Sequence, residues 1–228
     1  MATPLISCIV PFFNEVPRIY TTLEILSQSH SIAEIIAIDD GSTDNPQIDL
    51  KKYDLPVNLI KIATNKGKSA AVFEGIDATS GNLILLVDAD FKGLNIEEID
   101  KACRLMLAHP EVDMLILRST RGTWITKACR QDIVLSGFRL MKRQDLENVY
   151  KKHPRRYQLE TALNAYMIEH NKKVFYTEFT GYNTLRNEKI GLFRGFTGLI
   201  FLLKDVYTYR GYVAYIKQLW TFCHKKIA

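Results

Sequence analysis

The stretch LILLVDAD, residues 83–90, decides the fold. Leu83, Ile84, Leu85, Leu86 and Val87 are apolar without a break, the pattern of a strand buried on both faces in the middle of a parallel sheet. Asp88 and Asp90 then close it with two carboxylates. In an extended chain, residues at i and i+2 point the same way, so both carboxylates can face one spot. That spot lies outside the carboxyl end of a strand, where open α/β sheets hold their ligands. Two hard oxygen donors with open positions suit Mg²⁺ or Mn²⁺ bridging to a substrate diphosphate. A solvated Asp-Ala-Asp turn is the plainer reading, and the flanking segments decide between the two.

Outward from this strand, similar apolar runs recur. LISCIV at 5–10, EIIAID at 34–39, VNLIKI at 57–62, VDMLILR at 112–118 and VFYTEF at 174–179 all read as strands. Helical spacing fills the intervals. Ile19, Leu23 and Leu26 share one face, with Asn14 as the expected cap. A helix rich in small residues, including Ala70 and Ala71, follows the third strand, and another covers 96–107. Leu159, Leu163 and Tyr166 form the stripe of a later helix that Glu160 opens. Alternation of this kind predicts βαβ units, hence an α/β fold with a mostly parallel central sheet and helices on both faces. Asp39 and Asp40 close the second strand at the same edge as Asp88. Neither GxGxxG after the first strand nor GxxxxGK[ST] anywhere is present, which removes the main support for dinucleotide oxidoreductases and phosphate-loop kinases.

The 228 residues carry a net charge of +5, unevenly spread. Residues 1–117 are acidic, whereas 118–156 hold eleven Lys and Arg against three Asp and Glu. An acidic half that collects a cation beside a basic block that collects phosphates or anionic headgroups is electrostatically coherent. No nucleic-acid-binding motif accompanies the basic block, so no nucleic-acid partner is expected. Cys8, Cys103, Cys129 and Cys223 lack metal-ligand spacing and read as reduced, mostly buried thiols of a cytosolic protein. Core pattern begins by Leu5, leaving no expected signal peptide. The longest uncharged run near the end, 195–203, is far shorter than the roughly 18–20 residues that span a bilayer.

Five segments in order, PFFNE at 11–15, DDGSTD at 39–44, NKGKSAA at 65–71, DAD at 88–90 and SGFRLMKR at 136–143, resemble the family 2 glycosyltransferases. The likeness is nearest to the polyprenyl-phosphate sugar transferases typified by dolichyl-phosphate mannose synthase. It implies the GT-A (nucleotide-diphospho-sugar transferase) fold over residues 1–190, with a nucleotide- and metal-binding half at 1–117 and an acceptor half at 118–190. It further implies an inverting, metal-dependent transfer of one sugar from a nucleotide-sugar donor. The implied acceptor is a polyprenyl phosphate at the cytoplasmic membrane face. A soluble phosphorylated or polysaccharide-precursor acceptor is the alternative, and a non-catalytic nucleotide-sugar-binding subunit is a rival of another class.

By the same resemblance, Pro11, Phe13 and Glu15 hold the nucleotide, Phe13 stacking on the base. Asp40 accepts a hydrogen bond from the base, and Lys68 approaches ribose and phosphate. Asp88 and Asp90 hold Mg²⁺ or Mn²⁺ on the diphosphate. Ser136 and Arg139 hold the acceptor phosphate, which the planar Arg fork suits better than Lys does. An ionised phosphate acceptor needs no base, whereas a hydroxyl acceptor does. Glu160 is the candidate base, with favourable charge at a helix start as the equal alternative. Lys92 and Gly137 stand where some relatives carry Gln or His and Asp.

The tail, 191–228, places Leu199, Leu202, Val206, Tyr209, Val213, Ile216 and Trp220 at spacings of three or four, with Lys204, Arg210 and Lys217 between. Two readings stay open: an amphipathic helix or helix pair lying peripherally on a membrane, or a helix packed on the domain or a partner. Glycines at 191, 195, 198 and 211 argue against one straight helix.

Overall fold

A computed structural model describes residues 5–49, 51, 56–121, 124–128, 130–152, 154–155, 158–183 and 211–227. In chain order the elements are β1 (Ile6–Phe12), α1 (Arg18–Leu26), β2 (Glu34–Asp39), β3 (Val57–Lys61), α2 (Lys68–Ile76), β4 (Leu83–Leu86) and β5 (Phe91–Lys92). They continue with α3 (Ile96–Ala108), β6 (Met114–Ser119), α4 (Trp124–Ala128), α5 (Gln131–Val134), β7 (Arg139–Lys142), α6 (Arg143–Tyr150) and α7 (Leu159–Glu169). β8 (Val174–Phe179), β9 (Tyr182–Asn183), α8 (Tyr212–Thr221) and β10 (Lys225–Lys226) complete the described set.

An eight-stranded sheet runs in the order β10-β8-β6-β7-β4-β1-β2-β3. Its strands explain the unbroken apolar runs. Cys8 and Val10 of β1 and Leu83 and Leu85 of β4 face one core, with Leu23 of α1 and Ile99 of α3. Ile9, Ile84 and Leu86 face the other, with Val72 of α2 and Leu163 of α7. Both faces are covered over β1, β2 and β4, which are buried almost without a break, whereas the edge strand β3 exposes Asn58 and Lys61.

The chain steps outward from β1 to β2 and β3, all parallel, and then returns to place β4 on the other side of β1, again parallel. Such a reversal opens a crevice at the carboxyl ends of the two strands flanking it. Phe13 and Asp88 follow those two strands.

One strand is added to those expected, and one expectation changes. The segment containing Arg139 is itself a strand: β7 lies antiparallel between β4 and β6, so the fourth and fifth apolar runs are not neighbours. Asn14 does not cap α1, which begins after Pro17 with no side-chain cap. Asn14 instead adopts φ 54 and its Oδ1 accepts from the amides of Thr43 (2.8 Å) and Asp44 (3.3 Å), tying the two loops beside the crevice together.

Of the tail stripe, Leu199, Leu202, Val206 and Tyr209 lie outside the described residues, as does Cys129. α8 buries Tyr215 and Gln218. After it the chain returns to the sheet, where β10 pairs in parallel with β8. Cys8, Cys103 and Cys223 are buried free thiols, and burial pushes Cys103 up to about 12. Among the described residues no helix is long and apolar enough to cross a membrane.

Candidate functional site

The crevice is built from the loops after β1, β2, β3 and β4. Behind β2, Asp40 is 3 % exposed, and its carboxylate accepts from two consecutive amides of the next loop, Lys66 N–H (2.8 Å) and Gly67 N–H (2.7 Å). Asp39 Oδ1 takes Ser42 N–H at 2.8 Å. Gly41, at φ +74, brings its backbone against Thr64 and Asn65; a Cβ there would stand 2.8 Å from Asn65 N. Asp40 thus fixes the turn from which α2 starts, with one internal bond on each oxygen, while Asp39 fixes the loop that follows β2.

α2 opens with Lys68, after Gly67 at φ 93. A lysine at the first position of a helix sits against the positive end of the dipole and calls for a compensating partner. It has two. Lys68 Nζ lies 2.6 Å from Asp88 Oδ1 and 2.5 Å from Glu160 Oε1, with all three side chains largely buried. Burial alone would push the ammonium down; the two carboxylates hold it well above the ordinary lysine value. Glu160 comes from the first turn of α7, a helix buried over most of its circumference.

Asp88 and Asp90 straddle buried Ala89, whose carbonyl accepts from Thr22 Oγ1 of α1 at 3.1 Å. Beyond them Phe91 packs on Phe138 and Phe179, with ring centroids 5.3 and 5.5 Å away. Phe13 stands 39 % exposed at the mouth, and Pro11 is buried within β1. Glu15 pairs with Arg18 at 2.6 Å.

The expectation for Arg139 does not match its placement. Its guanidinium is 0 % exposed and faces inward. Nε donates to Ser136 O (2.6 Å), Nη1 to Asn164 Oδ1 (2.6 Å), and Nη2 to Val134 O (2.8 Å) and Ile133 O (3.3 Å). Burial draws it down to about 10, against the opposing pull of Glu160, Cys223 and Asp88. A fork spent on four internal acceptors anchors its own segment and presents nothing to an acceptor phosphate. Ser136 likewise turns inward, its Oγ donating to Leu117 O at 3.0 Å.

Sequence reasoning missed the joining of Lys68 and Glu160, 92 residues apart. The adverse placement of a lysine at a helix start was the available signal.

The donor set suits a divalent ion shared with a ligand. Among the described residues no group of three or more His, Cys, Asp or Glu is placed to hold an ion unaided. Asp88 and Asp90 are two hard donors, the complement of Mg²⁺ or Mn²⁺ sites that are finished by substrate phosphates and water.

A model of "Glycosyl transferase family 2" matches residues 7–183. Dodecaprenyl-phosphate galacturonate synthase of Rhizobium johnstonii is 33% identical over 96 residues, 38% of this chain and 28% of the relative. An N-acetylglucosaminyltransferase of Bradyrhizobium elkanii is 30% identical over 137 residues, 54% of this chain and 73% of the relative. The chain spans less than half the length of several curated relatives it matches. Among solved structures, glucosyl-3-phosphoglycerate synthase of Mycobacterium tuberculosis, in complex with Mn²⁺, uridine-diphosphate-glucose and phosphoglyceric acid, superposes with a TM-score of 0.67. That match is 17% identical and covers 89% of this chain and 80% of the other. The α/β architecture is therefore the GT-A fold.

Proposed function

Because this chain belongs to glycosyl transferase family 2, we propose that it transfers one sugar, with inversion, from a nucleotide-sugar donor to an acceptor bearing phosphate. The observation that carries this reading is the meeting of Asp88, Lys68 and Glu160 at the crevice between the ends of β1 and β4.

Phe13, exposed at the mouth, stacks on the base, while Glu15 and Pro11 shape the loop beneath it. Asp40 acts by fixing the amides of the 65–67 turn, and Lys68 supplies positive charge beside the diphosphate. Asp88 and Asp90 hold Mg²⁺ or Mn²⁺, which when bound offsets the charge that develops on a leaving nucleoside diphosphate. Residues 1–117 serve the donor and 118–190 the acceptor, with Arg139 and Ser136 holding the shape of the segment behind Asp88.

The favoured acceptor is a polyprenyl phosphate at the cytoplasmic membrane face, in line with the chemistry named for the Rhizobium relative. The outer face of α8 supports a peripheral membrane contact: Val213 is 81% and Trp220 76% exposed, with Lys217 between them. A phosphate nucleophile is already ionised and leaves Glu160 free to serve as Lys68's partner.

A soluble or hydroxyl-bearing acceptor is the second reading. Two observations favour it: α8 packs its other face on the domain, and Glu160 stands within the same cluster as Asp88, where a base would be wanted.

Transfer assays with radiolabelled nucleotide sugars, run in parallel with polyprenyl phosphate in liposomes and with soluble acceptors, separate the two. Lipid-linked product together with liposome flotation is expected. Water-soluble product without flotation selects the second reading, and binding without any transfer leaves only the non-catalytic subunit.

A further inference from the structure

We infer that Gly137 is a positioning residue: its missing side chain is the socket that seats the Asp88 carboxylate on Lys68. This rests on the reading of Asp88 as a donor-site residue. A Cβ built at Gly137 would lie 2.1 Å from Asp88 Oδ2, 2.6 Å from Cγ and 2.7 Å from Oδ1. A real Cβ essentially never comes within 3.0 Å of such an atom, so Asp88 occupies the volume that any other residue at 137 would fill.

The glycine is required for space rather than for backbone freedom. Gly137 is not among the glycines at positive φ, so alanine can adopt its conformation. In the absence of Asp88, alanine would be neutral or slightly stabilising there, because it restricts the unfolded chain.

Nor can the backbone retreat. On one side Phe138, fully buried, is locked against Phe91 and Phe179, and its carbonyl accepts from Leu117 N–H at 3.0 Å. On the other, Ser136 is held through its carbonyl by Arg139 and through its hydroxyl by Leu117. The soft partner is the Asp88 side chain, which rotates about χ1 at little cost. Rotation takes Oδ1 away from Lys68 Nζ, now 2.6 Å distant. Substitution at 137 therefore leaves the fold standing and misplaces one carboxylate. This gives the buried Arg139 a role through its neighbour: it clamps the strand edge that makes the socket rigid.

The test is a four-protein cycle: wild type, Gly137→Ala, Asp88→Ala and the double variant, each followed by urea unfolding without ligand and by titration with a nucleoside diphosphate plus Mn²⁺. Asp88→Ala removes the three atoms nearest to the new methyl. The expected result is a lowered urea midpoint for Gly137→Ala in the wild-type background that vanishes in the Asp88→Ala background. Alongside it, the single Gly137→Ala variant should lose about tenfold or more in nucleotide affinity. A merely structural glycine would cost the same in both backgrounds and leave affinity unchanged, and either result overturns the inference. If wild type binds no nucleotide, the donor reading fails, while the unfolding cycle still decides the socket.

Discussion

Replacing Lys68 with Met removes one charge from between two carboxylates while keeping most of the apolar stem. The ammonium contacts Asp88 at 2.6 Å and Glu160 at 2.5 Å, with side chains 18%, 19% and 11% exposed. Stripping one partner from a buried charge group costs about 3–5 kcal/mol. With part of each group in water, screening reduces this to about 2–3 kcal/mol. For a chain of this length that is a Tm lower by about 5–10 °C. The sign with pH follows from the cause. Lys68 is held above its ordinary value, so its contribution is full below the ordinary lysine range and is lost only as pH climbs through the raised value. In the variant, Asp88 and Glu160 face each other without the ammonium between them. Thermal unfolding at pH 7 and at about pH 9, both below the ordinary lysine range, should therefore show the same gap between wild type and Lys68→Met. Mn²⁺ should restore part of it at pH 7. A gap under about 0.5 kcal/mol, or one that closes between pH 7 and about pH 9, refutes the charge cluster as described.

Glu34 accepts from Ser7 Oγ (2.7 Å), Ser80 N–H (2.6 Å) and Ser80 Oγ (2.7 Å); burial works against the charged form, yet these donors hold it below the ordinary glutamate value. Its stabilisation is present above that ordinary value and fades as pH falls through the lowered one, so Glu34→Gln should show a shallower acid slope in urea midpoints. Arg139→Lys keeps a charge but cannot span four acceptors, and a loss of about 2–4 kcal/mol in urea unfolding is expected. Asp40→Asn replaces one of two acceptor oxygens with a donor facing an amide; about 1–3 kcal/mol should be lost, together with nucleotide affinity measured by titration.

The apolar runs made most of the sheet legible, because strands covered on both faces cannot hide their composition. Asp88 and Asp90 were legible for the opposite reason, as carboxylates where a core strand should continue. β7 was not, since RLMK mixes charge with apolar residues and its strand character comes from lying between β4 and β6. Arg139 misled because arginine is rarely buried without a carboxylate; carbonyls and Asn164 satisfy it here, which no spacing announces. Gly137 read as a departure from a pattern, and only the distance to Asp88 gives it a reason.

The most direct test of the account is calorimetric titration of a panel of nucleotide sugars, with Mn²⁺ present, into wild type and Asp90→Asn. One donor should bind wild type and lose about tenfold or more in affinity in the variant. A wild-type protein that binds no donor, or a variant that binds as well as wild type, would contradict the assignment of the β4 edge as the donor site.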